Sequence, residues 1–250
     1  MSDSVAGVVL AAGRGERLRP LTLRRPKALC PIDNVALVDL ALDRLRTVAA
    51  DVAVNVHHHR AAMEAHLEGR ARLSVEEAEP LGTAGALGHL REWIAGRPVV
   101  VVNADAWCPG PLDHLLDGWD GERLRVLVAG SEVMGPSSQV AGALLPWSDV
   151  ARLEPVPSGL WETCWRAALG AARLEAVPHH GPFVDCGTPA DNLRANLSAS
   201  GGRSVTPPGT AVEGQLQRSV VWPDGEVEPG EVLVDAVRYD GRRTVLVRAR

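Results

Sequence analysis

The chain has 250 residues, of which 46% are hydrophobic and 23% charged, enough to bury a sizeable core in one large domain with a small appendage. A formal charge of −5, with only 26 basic residues and all but Lys27 of them Arg, excludes the broad basic field of a nucleic-acid or anionic-membrane binder, so phosphate chemistry here rests on a few placed cations. No apolar run reaches bilayer length, and Cys30, Cys108, Cys164 and Cys186 form no CxxC pair or disulfide framework, which reads as buried reduced thiols in a cytoplasmic protein.

In chain order, the apolar run at 8–12 predicts a strand that ends in a glycine-rich turn. Val38, Leu42, Leu45 and Ala49 recur at helical spacing, opposite Asp39, Asp43 and Arg46. A second strand is predicted at 51–56, a helix at 60–68, a short strand at 73–75 and a helix at 84–95. "PVVVVN" (98–103) is apolar on both faces and belongs inside a sheet covered on both sides. Further strands are predicted at 125–129, 140–145 and 182–184, with helices near 160–172 and 188–198. This alternation implies a mostly parallel sheet with helices on both faces. Composition changes at "SASGGRSVTPPGT" (198–210), a linker pattern; beyond it Val alternates with polar residues between Pro-Asp-Gly and Pro-Gly turns. The expected division is therefore residues 1–199, then a β-rich C-terminal extension at 200–250 built as a few coils of a β-helix.

In "LAAGRGERL" the chain turns through Gly13 and Gly15, where the missing Cβ lets backbone N–H groups approach an anion. A dinucleotide fingerprint needs a third glycine where Leu18 stands, and a P-loop needs Gly-Lys-Ser/Thr, which is absent. The wider pattern is more specific: Gly-x-Gly-x-Arg-Leu-x-Pro-Leu-Thr, then Arg-Pro-Lys-Ala-Leu-x-Pro-Ile. "EPLGTAGAL" (79–87), "VVNADAW" (101–107) and "FVDCGTPADNL" (183–193) follow in order. On these four motifs the chain resembles the sugar-1-phosphate nucleotidyltransferases over most of residues 5–198. The resemblance implies a Rossmann-like three-layer α/β/α sandwich. It also implies attack by a sugar-1-phosphate oxygen on the α-phosphorus of a nucleoside triphosphate, expelling pyrophosphate. That nucleophile is anionic near neutral pH, so the reaction asks for cations and alignment and not for a general base.

The resemblance implies catalytic roles for Arg17, Lys27 and Asp105, and a Mg²⁺ ion held by Asp105 and Asp185, since two carboxylates plus substrate phosphates suffice for that ion. Asp105 follows a central strand, where open α/β sheets bind ligands. Asp185 precedes Thr188-Pro189 and Asp191, the pattern of a capped helix start. Lys27 is explained as a compact ammonium that follows migrating phosphate charge where a guanidinium fork fits poorly. Leu10, Ala11, Ala12, Gly13, Arg14 and Gly15 are implied to hold the nucleotide together with Glu77, Gly82 and Thr83; Gly82 makes room for the base, and the Glu77 carboxylate matches the two guanine donors. Arg24 and Arg25 read as rim or solvent charges. The Glu-Lys-Pro signature of relatives is absent and no second Lys exists, leaving Gly142, Glu162 and Arg166 on the sugar side. His57-His58-His59 reads as structural, because consecutive side chains point apart and no Cys/His spacing supports a metal.

"EPLGTAGAL" is similar to the guanylyl-transferring, mannose-1-phosphate type, so GTP with a mannose-like sugar phosphate is the first expectation. The alternatives are UTP with an amino-sugar-1-phosphate such as N-acetylmuramate-1-phosphate, and a catalytically inactive nucleotide-sugar-binding regulatory subunit. Neither nucleic acid nor membrane is expected as a partner, and the β extension is the expected surface for a homo-oligomer or partner.

Overall fold

The computed structural model describes residues 5–247, which fall into two compact units. One holds the described residues up to 14, with 38–104 and 108–183; the other holds 15–37, 105–107 and the chain from 184 onward.

The first unit is built on a seven-stranded sheet. Its strands are β1 (Ala6–Leu10), β2 (Asp51–Val56), β3 (Arg72–Val75), β4 (Val99–Asn103), β5 (Leu124–Ala129), β6 (Val140–Leu145) and β7 (Leu174–His179). They lie in the order β7-β5-β6-β4-β1-β2-β3, parallel except for β6, which runs antiparallel to both neighbours. Valines 99–102 of β4 are all buried, as a strand covered on both faces requires, and each contributes on the order of 1.5–3 kcal/mol by leaving water. Ala6, Val8, Val99 and Val101 pack on one face into a core with Leu87, Leu90, Ile94, Leu160 and Trp165. On the other face Gly7 lets the helix Leu37–Arg46 approach: a Cβ there would lie 2.8 Å from Leu45 Cδ2.

Four local readings change. The outer strand is Leu174–His179, which has neither alternation nor a long apolar run and carries Pro178, tolerated because an edge strand can spare an N–H. The strand expected at 182–184 is instead Val184–Asp185, part of a separate two-stranded pair. The helix expected at 84–95 is two pieces, Gly82–His89 and Arg91–Ile94, and the one near 160–172 opens as a π-helical turn, Trp161–Trp165, before Arg166–Gly170.

From β1 the chain moves to β2 on one side and then returns to β4 on the other, so the connections part at the carboxyl ends of β1 and β4 and open a crevice there. Ala104 N–H donates to the Leu10 carbonyl at 3.0 Å and holds the two strand ends together.

The second unit uses short elements. Pro31–Ile32 and Val35–Ala36 form a hairpin around Asp33 and Asn34, both at positive φ, the geometry of a tight two-residue turn. Helix Pro189–Ala199 starts at Thr188, whose hydroxyl oxygen accepts from Asp191 N–H and donates to the Asp191 carboxylate at 2.7 Å, the capping pattern the sequence carries. In the tail, Val205 pairs with Val220 and Val220 with Val237, Val212 with Val227, and Gln215–Gln217 with Val232–Val234, all parallel, and Arg243–Leu246 closes antiparallel on Ala236–Tyr239. Partners lie 15 to 17 residues apart along the chain, as in stacked coils whose apolar rungs, among them Val220, Val221 and Leu233, face inward. Among the described residues no helix is long and apolar enough to cross a membrane.

Candidate active site

In the second unit, Ala106 sits opposite Asp185 and Trp107 opposite Val184 in a two-residue antiparallel pair, and Cys186 N–H donates to the Asp105 carbonyl at 3.0 Å. This short ladder brings together two carboxylates 80 positions apart in sequence. Lys27 begins a 3₁₀ turn, Lys27–Leu29, preset by Pro26, with Cys30 N–H closing onto its carbonyl at 2.9 Å. Its Nζ lies 3.1 Å from Asp105 Oδ2 and 3.5 Å from Asp185 Oδ1. Arg17 Nη2 lies 3.5 Å from Asp185 Oδ2. Lys27 is only 8% exposed, so its ammonium meets the acids in a partly dry setting where charge interactions are stronger than in bulk water.

Two motif glycines are explained by these cations. Gly15, at φ +62°, would put a Cβ 2.9 Å from Lys27 Cβ and 3.2 Å from Thr22 Cγ2; Thr22 in turn donates its hydroxyl to the Gly15 carbonyl at 2.8 Å. A Cβ at Gly187 would lie 2.9 Å from Arg17 Nη2. Gly13 has nothing within 4 Å of its Cβ position, the open setting an approaching anion needs. Arg25 is no solvent charge: its guanidinium lies 4.8 Å from the Trp222 ring centroid and pairs with Asp224 at 2.8 Å.

The donor set fits a hard divalent cation. Asp185 Oδ1 is buried and accepts no hydrogen bond, so it faces the Lys27 ammonium with coordination capacity unused. Among the described residues no three His, Cys, Asp or Glu side chains gather to hold a metal, so an ion here draws its other ligands from substrate phosphates and water. Burial pushes the nearby Cys30 and Cys186 thiols up to about 12, so they stay protonated and uncharged beside the acids. All four cysteines are buried free thiols.

In the first unit, the crevice at the carboxyl ends of β1 and β4 holds a cavity of about 250 Å³. Leu10, Thr83, Asn103, Gly142, Glu162 and Trp165 are among its lining residues. Gly142 and Glu162 thus meet in one cavity, while Arg166 is exposed and not part of its wall. A Cβ on Gly142 would lie 2.9 Å from Leu112 Cδ2, so a larger residue there would have to displace that leucine's methyl end.

The "LGTAGALG" glycines also serve the chain itself. Gly82, at φ +70°, would put a Cβ 2.5 Å from the Ser158 carbonyl oxygen, Gly85 one 2.2 Å from that of Val156, and Gly88 one 2.4 Å from the Glu154 backbone. Spaced three apart on one helix face, they form a row on which residues 154–158 lie. Gly82 therefore makes room for this segment. Thr83 Oγ1 accepts from Leu160 N–H at 2.8 Å and keeps its place in the cavity wall.

Glu77 is exposed and pairs with Arg60 at 2.7 Å. Its neighbour Glu76 is 2% exposed: Oε1 accepts from Asn55 Nδ2 at 2.7 Å and Oε2 from Leu81 N–H at 2.8 Å. The alternation of Leu73 and Val75 points Glu77 inward, whereas the structure buries Ser74 and Glu76, so no pattern in the sequence marks Glu76. His57 sits with Nδ1 2.7 Å from the Glu76 carbonyl oxygen, a structural setting.

The family model for nucleotidyl transferases matches residues 6–137. An N-acetylmuramate α-1-phosphate uridylyltransferase of Caulobacter vibrioides is 38% identical over 227 residues, covering 75% of this chain and 94% of that protein. A mannose-1-phosphate guanylyltransferase of Mycobacterium tuberculosis is 30% identical over 271 residues, covering 93% of this chain and 74% of that protein. Among solved structures, a Bacillus anthracis protein assigned as a glucose-1-phosphate thymidylyltransferase, holding a sucrose, superposes with TM-score 0.66 at 19% identity, over 78% of this chain and 95% of that one. HddC of Yersinia pseudotuberculosis, complexed with GMP-PN, does so with TM-score 0.59 at 16% identity, over 78% and 99%. At these identities the two structures speak for the fold.

Proposed function

The chain belongs to the sugar-1-phosphate nucleotidyltransferase family, and on that premise we propose that it transfers the uridylyl group of UTP to an N-acetylated amino-sugar-1-phosphate, releasing pyrophosphate. Transfer of a nucleotidyl group from a nucleoside triphosphate to a sugar-1-phosphate, giving a nucleotide sugar, is the enzymatic activity of its relatives. The observation that carries an active enzyme over an inactive subunit is the convergence of Lys27 on Asp105 and Asp185. Two points favour UTP over GTP. The uridylyltransferase is matched over 94% of its length against 74% for the guanylyltransferase, and Glu77, the carboxylate suited to guanine, is engaged by Arg60. A second reading, GTP with a mannose-like sugar phosphate, keeps the support of the guanylyltransferase relatives.

In this reading Asp105 and Asp185 hold Mg²⁺, and the ion when bound offsets phosphate charge that would otherwise repel the incoming anion. The sugar-phosphate oxygen, already ionised, forms its bond to the α-phosphorus. The bond from that phosphorus to the bridging oxygen breaks, and its electron pair leaves on pyrophosphate, so no side chain has to take a proton. Lys27 moves its ammonium from the carboxylates to the phosphate oxygens where charge develops. Arg17, cleared by Gly187, holds the departing pyrophosphate, and the segment Leu10 to Gly15 carries the nucleotide. Residues 200–250 act as an appendage that steadies the Lys27 loop through Arg25, a role suggested by the Trp222 stack and the Asp224 ion pair.

A pyrophosphate-release assay of four nucleoside triphosphates against a dozen sugar-1-phosphates tests this. Highest kcat/KM is expected for UTP with an N-acetylated amino-sugar-1-phosphate and a divalent ion. Dominance of GTP with mannose-1-phosphate replaces the substrate assignment, and nucleotide binding without release anywhere in the panel replaces the enzyme by a regulatory subunit.

A further inference from the structure

Beneath the cavity of the first unit runs a chain of hydrogen bonds that touches no lining group yet joins two of its walls. Ala11 N–H donates to Asn55 Oδ1 at 2.6 Å, Asn55 Nδ2 donates to Glu76 Oε1 at 2.7 Å, and Leu81 N–H donates to Glu76 Oε2 at 2.8 Å. Asn55 is 3% exposed and Glu76 2% exposed. The Ala11 N–H can meet only an oxygen, which fixes the Asn55 amide with its NH₂ towards Glu76. At one end, Ala11 follows the cavity residue Leu10; at the other, Leu81 precedes the cavity residue Thr83 by two positions. Glu76 N–H also donates to the Val56 carbonyl at 2.9 Å, so the carboxylate is carried on a backbone tied to β2.

We infer that Asn55 and Glu76 are a buried positioning pair that sets the separation between the Leu10 and Thr83 walls of the cavity, and so the affinity for nucleotide. This rests on the proposed nucleotide-binding role of Leu10 and Thr83, which both line the cavity. The pair touches no substrate and acts through the two loops it ties. A carboxylate is required because two donors, Asn55 Nδ2 and Leu81 N–H, converge on Glu76 and each needs an acceptor oxygen.

That requirement makes the pair testable by exchange. In Glu76→Gln, one donor faces an NH₂ group. In Asn55→Asp, two carboxylate oxygens meet where a 2.7 Å hydrogen bond stood. In the double variant N55D/E76Q the aspartate accepts from Ala11 N–H and from the glutamine amide, the glutamine oxygen accepts from Leu81 N–H, and all three bonds and the single negative charge survive with the central bond reversed. The dissociation constant of UTP is measured by calorimetry for each protein, beside its melting temperature. Each single variant is expected to weaken UTP binding about ten-fold or more, and the double variant to return to within about three-fold of wild type. Singles that bind UTP as wild type does, or a double variant weaker than either single, overturn the pair. Should the singles not fold, the double variant alone decides: wild-type affinity supports the pair and weakened affinity overturns it. Val140→Trp, which fills the cavity, separates the two readings. If it leaves UTP affinity unchanged, the cavity assignment fails and the pair with it; if it abolishes binding while the singles do not weaken it, the pair alone fails.

Discussion

In the seven-stranded unit, Leu10 and Asn103 reach the cavity because two parallel strands in register end side by side, each also paired to a further strand. In the other unit, Lys27 reaches Asp105 and Asp185 from a single 3₁₀ turn and a pair of two-residue strands. The first arrangement is over-determined by many equivalent backbone bonds, and a substitution there is absorbed as lost stability. The second depends on a few side chains, and a substitution there registers in the rate. The division of labour is usual for functional groups carried beside a rigid scaffold.

Lys27→Ala sharpens this contrast most. Turnover is expected to fall by about two to three orders of magnitude, as for removal of one group aimed at developing charge, with little change in melting temperature. Lys27→Arg should recover little of it, because a broad planar guanidinium does not reproduce a compact ammonium set between two carboxylates. Steady-state pyrophosphate release beside thermal melts checks both. Gly85→Ala tests the opposite half: its Cβ would meet the Val156 carbonyl oxygen at 2.2 Å, so about 1–3 kcal/mol of stability should be lost, read as a shifted denaturant midpoint. An unchanged midpoint would mean that residues 154–158 do not rest on the glycine row. Arg25→Ala should cost about 1 kcal/mol from the lost ring contact and ion pair, with turnover lowered several-fold because Lys27 lies two residues on.

A further test is a pH dependence. Burial raises Cys30 and Cys186 from 9.0 to about 12, so below pH 9 folded and unfolded chains both hold these protons. Between pH 9 and 12 the unfolded chain releases them first, and stability falls as pH rises. Melting temperature should therefore drop less steeply above pH 9 in a Cys30→Ala/Cys186→Ala protein than in wild type.

How much of this was legible differs between the two units. Strands 51–56 and 140–145 are found at the bounds expected, because short apolar runs bounded by turn signals carry their own boundaries. The Thr188 cap was equally local. Leu174–His179 was missed because an edge strand holding a proline need satisfy only one neighbour. The carboxylates and Lys27 were placed by motif, yet the pairing that joins Asp105 to Asp185 spans 80 residues and leaves no periodic trace. Arg25 looked like a solvent charge because its partners, Trp222 and Asp224, lie nearly 200 positions away. Glu76 escapes a reading of the sequence because the apolar Leu73 and Val75 point the alternation at Glu77, while Ser74 and Glu76 are the buried pair.

The claim that Lys27, Asp105 and Asp185 form a reacting centre is tested most directly by pyrophosphate release from UTP and an N-acetylated amino-sugar-1-phosphate, measured across a divalent-metal titration for wild type and Asp185→Asn. The substitution keeps the shape and the pairing with Ala106 while removing a charged oxygen that accepts no hydrogen bond. Release by wild type that rises with metal, and a fall of about two orders of magnitude in a folded Asp185→Asn protein at every metal concentration, is the predicted result. A folded Asp185→Asn protein that releases pyrophosphate at the wild-type rate would contradict it.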